Sequence, residues 1–230
     1  MEPEQTTPRP TRQPVTGRTR DVVIFADRAI WRLATHWLFV ANLFWGLYVG
    51  LPFVAPISML AGLEMPAKAI YLLYRPACHQ RPERSYFLGG PQAVYSIEEL
   101  DAAGVDVGVF SRDIGNEQVG WKVAFCERDV AIYGAMFVAG VAYGLVRRRM
   151  RDWKMPFVYF LLFLVPMGID GVVQLVTPYE SDWLARTITG VIFGLGVVVF
   201  AYPYVDEAFA DVRQTLDQKL GPRPVPGDGE

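Results

Sequence analysis

The sequence has few of the residues on which most soluble enzymes depend. Its 230 residues include only two cysteines, which excludes a disulfide-dense secreted scaffold. It contains no phosphate-binding glycine loop, no GxSxG nucleophile elbow and no HExxH zinc motif. A net charge of −2 does not provide the concentrated basic surface that nucleic acids require. We therefore expect no nucleic-acid partner, and whether the protein is an enzyme stays open.

Charge is also missing from long stretches of the chain. Apolar residues make up 52% of the sequence, and about 20 of them in succession are enough to cross a bilayer core. Residues 33–63 and 130–146 carry no charge, and residues 155–177 and 183–205 are similarly apolar apart from isolated polar positions. The sequence therefore predicts an all-α polytopic membrane protein with four transmembrane helices, accompanied by short interfacial helices.

The distribution of arginine and lysine predicts how these helices are oriented. The segment 121–154 ends in the cluster Arg147, Arg148, Arg149 and Arg151, and such clusters stay on the cytoplasmic side. Fourteen of the 22 Lys and Arg residues fall on the predicted inner side, although the longer loop is outside. We expect a protein embedded in the lipid bilayer of the cytoplasmic membrane, with both termini cytoplasmic and the start of this helix at the outer surface.

Composition divides the chain into three segments. Residues 1–20 are rich in Pro, Thr and Arg and have no apolar run, which predicts a disordered cytoplasmic tail. Residues 21–205 form the predicted membrane domain, with an outer loop over residues 64–121. Residues 206–230 begin with apolar residues at helical spacing and are predicted to form an amphipathic helix on the inner face, followed by a tail.

Three local features refine this scheme. Pro52 and Pro56 are expected to end or kink the first helix. Residues 65–74 are apolar but too short to cross a bilayer, so we expect them to lie at the outer interface. The capping-box pair Ser96 and Glu99 predicts a short surface helix in an otherwise polar loop.

Ionisable residues inside the predicted spans converge on one depth. Asp129, Asp170 and Arg186 all fall within roughly the outer third of the bilayer, at ~1.5 Å per helical residue. An unpaired charge there would cost several kcal/mol, so we expect Arg186 and Arg128 to pair with Asp170 and Asp129. These pairs either hold the bundle together or line an outward-facing pocket. The predicted ligand pocket comprises Arg84, Arg128, Tyr133, Asp170, Gln174, Arg186 and Thr189.

A set of short motifs between residues 70 and 200 resembles an uncharacterised family of bacterial and archaeal membrane proteins, the domain of unknown function twenty eighty-five. The resemblance implies a multi-pass membrane protein without an assigned activity. Members carry Cys-x-Arg-Cys where this chain has Asp129 in place of the second cysteine. The matching motifs are Cys78-His79-Gln80, Pro82-Glu83-Arg84-Ser85-Tyr86, Cys126-x-Arg128, Tyr133-Gly134, Pro166-x-x-Ile169-Asp170-Gly171-x-x-Gln174 and Arg186-x-x-Thr189-Gly190.

The presence of Asp129 in place of the second cysteine affects how the two cysteines of this chain are interpreted. Cys78, His79, Cys126 and Asp129 offer thiolate, imidazole and carboxylate groups, all of which bind zinc, and exchanging Cys for Asp keeps an anionic ligand. A site for zinc or another divalent metal therefore tolerates the exchange. A disulfide between Cys78 and Cys126 that closes the outer loop, and a redox-active thiol pair, remain alternatives.

Three functions follow from these alternatives. In the first, the protein binds a metal ion or a small anionic ligand, and Arg84, Arg128 and Arg186 hold the anion. In the second, it is a non-catalytic accessory or assembly subunit with a structural disulfide. In the third, it is a thiol-disulfide redox protein. In the first two of these functions, the outer face of the protein binds a small ligand or a protein partner.

Overall fold

The computed structural model describes residues 17–108, 111–150 and 153–220. Over these ranges the chain forms six α-helices, one short 3-10 helix at Pro82–Arg84 and three strands. The helices are α1 (Arg18–Leu60), α2 (Glu64–Tyr74), α3 (Ile97–Ala102), α4 (Glu127–Met150), α5 (Phe157–Val176) and α6 (Trp183–Leu220). The strands are β1 (Ser85–Gly89), β2 (Gly115–Asn116) and β3 (Gly120–Cys126).

Four of the described helices are long and apolar enough to cross a membrane: α1, α4, α5 and α6, with 43, 24, 20 and 38 residues. This confirms the predicted fold class. Helix α5 has no buried residue along its length, although its sequence is almost entirely apolar. A bilayer provides the apolar surroundings that such a helix needs.

Pro52 and Pro56 were expected to end or kink the first helix, and the structure shows that they do not end it. Helix α1 continues through Pro52 and Pro56 to Leu60, and both proline side chains are fully buried. Prolines are tolerated within transmembrane helices because neighbouring groups satisfy the freed carbonyls. The departure from helical geometry occurs instead at His36, where φ is −110° and ψ is 15°.

The region between α2 and α4 contains a small antiparallel sheet that the sequence analysis did not predict. Its strand order is β1-β3-β2, with Phe87 opposite Lys122 and Gly89 opposite Gly120. The prediction that residues 121–125 begin the transmembrane helix was therefore wrong, since they belong to β3 and α4 starts at Glu127. The predicted short helices are present as α2 and α3, and α3 has the expected capping box.

Gly120 makes the close pairing of β1 and β3 possible. Its φ is +80°, and a Cβ atom there would lie 2.3 Å from the carbonyl oxygen of Leu88. Only glycine fits both conditions. The sheet then buries a small apolar cluster of Phe87, Leu100, Val105 and Val119.

Residue contacts divide the chain into two units, one containing residues 37–208 and the other residues 1–36 and 209–230. The first unit contains all the candidate site residues. In the described part of the second, Lys219 Nζ lies 2.5 Å from an oxygen of Asp27, and Arg213 donates to the carbonyl of Ala34 at 2.7 Å. Of the tail predicted over residues 1–20, residues 1–16 lie outside the described residues, and residues 18–20 instead begin α1. Residues 221–230 also lie outside the described residues, and residues 206–220 continue α6 without a break.

Small residues bring α4 and α6 close together within the larger unit. A Cβ atom on Gly194 would lie 2.4 Å from the carbonyl oxygen of Ile132, and one on Gly190 would lie 3.0 Å from that of Arg128. Glycines four residues apart are typical of closely packed membrane helices. The close approach positions the first turn of α4 against the start of α6.

Candidate functional site

Four consecutive residues, 126–129, join the end of β3 to the first turn of α4, and their side chains contact different partners. Cys126 lies beside Cys78, and Asp129 folds back onto Cys126. Glu127 pairs with α6 and Arg128 with α5. Because the strand runs directly into a helix here, successive side chains point in different directions. The junction therefore contacts groups from distant parts of the chain.

The first group consists of two sulfurs and a carboxylate. Ligand atoms of Cys78, Cys126 and Asp129 all lie within 4.8 Å of one another. The backbone N–H of Cys126 donates to Cys78 Sγ at 3.3 Å, and the Cys126 thiol donates to Asp129 Oδ2 at 3.1 Å. Both cysteines are free rather than joined as a disulfide. His79, which the sequence analysis placed with them, is exposed and lies outside this group.

Burial and the neighbouring thiol both affect Cys126. A hydrogen bond with Cys78 and desolvation raise the pKa of the Cys126 thiol above its usual value. In the absence of a cation, the raised pKa keeps the Cys126 thiol protonated near neutral pH. A bound cation would reverse this preference, because metal binding deprotonates a coordinating thiol.

The segment carrying Cys78 is fixed to β3 by polar contacts. Gln80, at a φ of 53°, donates to the carbonyl of Tyr71 at 2.9 Å. The Tyr71 hydroxyl donates to the carbonyl of Lys122 at 2.5 Å, and Lys122 Nζ donates to the carbonyl of Gln80. These contacts hold Cys78 in an apolar core with Phe125.

Lys122 gives the protein a pH dependence that can be measured. Its side chain is buried, and desolvation lowers its pKa from 10.5 to about 8. Below pH 8 the lysine is charged in both folded and unfolded protein, whereas between pH 8 and 10.5 the unfolded chain binds more protons. Stability should therefore rise by about 3 kcal/mol across this range.

The measurement is thermal unfolding of the detergent-solubilised, metal-free protein at a series of pH values. Replacing Lys122 with methionine, which keeps the aliphatic stem, should remove most of this rise. An equally steep rise in the Lys122→Met protein would show that other groups cause it.

Asp170 on α5 is the centre of a second group. Arg128 pairs with Asp170 Oδ2, and Gln174 donates to the same oxygen at 3.0 Å. The Ser181 hydroxyl donates to Asp170 Oδ1. The two arginines were expected to pair with Asp170 and Asp129 as a set, and the structure pairs Arg128 with Asp170. Ser181 is a partner that the sequence analysis missed.

Arg186 has a different partner from the one expected. Its Nη1 lies 3.1 Å from Glu127 Oε2, and the two side chains are only 7% and 3% exposed. The sequence analysis paired it with Asp129 or Asp170, because both aspartates lie at a similar predicted depth. Glu127 was overlooked as a partner, although its place beside Cys126 at the start of α4 was already evident.

A cavity of about 410 Å³ lies where α3, the start of α6 and the 3-10 helix meet. Arg84 pairs with Glu180 at its edge, at 3.5 Å. Burial, together with nearby Arg186 and Arg81, lowers the pKa of Arg84. The cavity is lined by Glu83, Gln92, Val94, Tyr95, Ser96, Ile97, Glu99, Glu127, Glu180, Ser181, Asp182, Trp183 and Arg186.

The remaining two predicted pocket residues make other contacts. Tyr133 stacks on Trp45, with ring centroids 5.5 Å apart, and also packs against Tyr48 and Phe125. The Thr189 hydroxyl donates to the carbonyl of Ala185 within its own helix. Of the seven predicted residues, Arg186 lines the cavity, and Arg84, Arg128, Asp170 and Gln174 lie in ion pairs or hydrogen bonds near the start of α4.

Comparisons with known proteins agree with this architecture. The family profile of DUF2085, described as a predicted membrane protein, matches residues 118–200. An uncharacterized protein of Methanocaldococcus jannaschii is 30% identical over 135 residues, which cover 58% of this chain and 67% of the relative. No solved structure matches the chain. The matched residues include the strand-to-helix junction and the start of α6, and on this basis the chain belongs to the DUF2085 family of membrane proteins.

Proposed function

We propose that the protein binds zinc or a similar divalent metal ion at the end of its membrane helices, with Cys78, Cys126 and Asp129 as ligands. The observation that carries this proposal is that the ligand atoms of Cys126 and Asp129, and of Cys78 from 48 residues earlier in the chain, lie within 4.8 Å of one another. From the arginines in the last turn of α4, Arg147, Arg148 and Arg149, we also infer that the opposite end, which carries this cluster, faces the outside of the cell.

The distances between the three ligand atoms suit a tetrahedrally coordinated metal ion. Ligand distances of about 2.3 Å to sulfur and 2.0 Å to oxygen separate the ligand atoms by roughly 3.5 to 3.8 Å. The Cys126 sulfur and Asp129 Oδ2 are already 3.1 Å apart, so small side-chain rotations are sufficient. The proton that now lies between them is the one that an ion would displace.

Three protein ligands leave the fourth tetrahedral position for water or a substrate. Catalytic zinc sites use this arrangement, whereas structural sites close the fourth position. The arginines offer less support for the anionic ligand that the sequence suggested, because Arg84, Arg128 and Arg186 each contact a carboxylate. An anion would have to compete with those carboxylates.

Metal content of the detergent-purified protein tests the proposal. We expect about one zinc per chain after equilibration with zinc and removal of excess, and a loss of most of it in Cys126→Ser and Asp129→Asn. His79→Ala is the matched control, since His79 is exposed and outside the cluster, and it should keep the metal. Wild-type protein without stoichiometric metal, or equal retention in Cys126→Ser, would contradict the proposal.

A second candidate is a thiol-disulfide pair, which the mutual proximity of the two sulfurs also favours. The same preparations distinguish it, because labelling of thiols before and after reduction counts the free cysteines. Two accessible thiols that zinc protects from labelling support the metal site. Thiols that are blocked until reduction support the disulfide, whether it is structural, as in an accessory subunit, or redox-active.

A further inference from the structure

Lys122 is a buried lysine that makes no ion pair in the part of the chain that the structure describes. The residue is 1% exposed, and no described carboxylate oxygen lies within 4.0 Å of its Nζ atom. The ion-paired lysines in the same part of the chain are Lys68, Lys154 and Lys219. A buried ammonium group is strongly destabilising unless a negative charge compensates it. The folded protein therefore needs a negative charge near Lys122.

Two carboxylates interact electrostatically with Lys122 at longer range, but both have other partners. Asp113 accepts two backbone N–H groups of its own loop, one on each oxygen and each at 3.1 Å. Glu83 is paired with Arg81. The remaining anionic group that interacts with Lys122 is the thiolate form of Cys78. Lys122 is thus linked to a ligand of the proposed metal site.

The segment that carries Cys78 contacts β3 at two points. The backbone N–H of Cys126 donates to Cys78 Sγ at 3.3 Å. Four residues earlier on β3, Lys122 Nζ donates to the carbonyl of Gln80. Gln80 has a φ of 53°, a left-handed conformation that a non-glycine residue keeps only where its surroundings hold it. Lys122 therefore fixes the backbone two residues after Cys78.

The charge of a zinc-loaded site matches the charge of Lys122. Two thiolates and a carboxylate carry three negative charges, and a divalent ion carries two positive charges, so the loaded site keeps one negative charge. A net charge in surroundings of low dielectric constant is stabilised by an opposite charge nearby. The ammonium group of Lys122 supplies that charge.

We propose that Lys122 is the charge-compensating and positioning residue of the metal site: its ammonium group balances the negative charge of the zinc-loaded cluster, and its hydrogen bond to Gln80 holds Cys78 in place for the ion. This inference rests on the function proposed above and adds the group that controls the affinity of that site. Groups that act on metal ligands from outside the coordination sphere typically change metal affinity by about 10- to 100-fold.

Competition for zinc between the full-length, detergent-purified protein and a chelator of known affinity tests the proposal. Lys122→Met removes the charge and the donor, whereas Lys122→Gln removes the charge but keeps a donor group. Zinc affinity should fall by about 10- to 100-fold in both variants. Lys68→Met is the matched control, because Lys68 is exposed and pairs with Glu64 within α2; its zinc affinity should be that of the wild type.

Cobalt(II) in place of zinc gives a signal that a purely structural role would not change. The ammonium group lowers the energy of the thiolate electrons, so the thiolate-to-cobalt charge-transfer band should move to lower energy in both Lys122 variants. Wild-type zinc affinity in Lys122→Gln, or a cobalt band at its wild-type position in both variants, would overturn this inference and leave the metal site intact. Wild-type protein that binds no zinc would overturn the metal site and this inference with it.

Discussion

Replacing Arg186 with methionine should reduce the stability of the protein by about 3–5 kcal/mol. Arg186 and Glu127 form a buried pair with side chains 7% and 3% exposed. Removing one member of such a pair leaves an uncompensated charge, and that is the source of the large loss. Thermal or denaturant unfolding in detergent measures the change.

Two further variants test whether loss of the ion pair between Arg186 and Glu127 causes the loss of stability. Adding Glu127→Gln to Arg186→Met removes both charges, and most of the lost stability should return, because apolar or neutral replacements of buried pairs are often nearly neutral. Arg84→Met breaks the more exposed pair with Glu180 and should cost no more than about 1 kcal/mol. A double variant as unstable as Arg186→Met would show that the pair itself is not responsible.

Replacing Gly194 with alanine should destabilise the contact between α4 and α6. The new Cβ would lie 2.4 Å from the carbonyl oxygen of Ile132 and 3.0 Å from the Cβ of Ala135. The new methyl group can be accommodated only if α4 and α6 move apart. Overpacking of this kind costs about 1–3 kcal/mol, and sometimes more, and the melting temperature should fall accordingly.

Gly134 on α4 provides the control for this substitution. A Cβ atom there has nothing within 4 Å, so Gly134→Ala should be neutral or slightly stabilising, as alanine favours helices. A Gly194→Ala protein with wild-type stability would contradict the close approach of the two helices. Because that approach also positions the first turn of α4, the variant should bind less metal than Gly134→Ala.

The four membrane helices were predictable because an uncharged apolar run of about 20 residues matches the thickness of a bilayer core. The small sheet was not, since β3 runs directly into α4 with no turn between them. Val123, Ala124 and Phe125 fit the end of a helix as well as a buried strand. Only pairing with β1, which is distant in sequence, distinguishes the two, and Gly120 was the local sign of a change in backbone direction.

The candidate site was predictable in its residues but not in its pairs. Cys78, His79, Cys126 and Asp129 were grouped from their chemistry, and the structure brings three of them together without His79. Arg186 and Arg128 were expected to pair with Asp170 and Asp129, and Arg128 does pair with Asp170. Depth along a helix does not fix which way a side chain points, so Arg186 was assigned to the aspartates rather than to Glu127. The cavity was not foreseen, because Glu83, Glu99 and Glu180 come from loops and short elements whose arrangement depends on the sheet.

X-ray absorption spectroscopy of the zinc-loaded protein tests the metal site most directly. We predict a four-coordinate zinc with two sulfur ligands at about 2.3 Å and two oxygen or nitrogen ligands at about 2.0 Å, the oxygen ligands being Asp129 and an exchangeable water. In Cys126→Ser the sulfur contribution should fall by half or the metal should be lost. A zinc shell without sulfur would contradict the site formed by Cys78, Cys126 and Asp129.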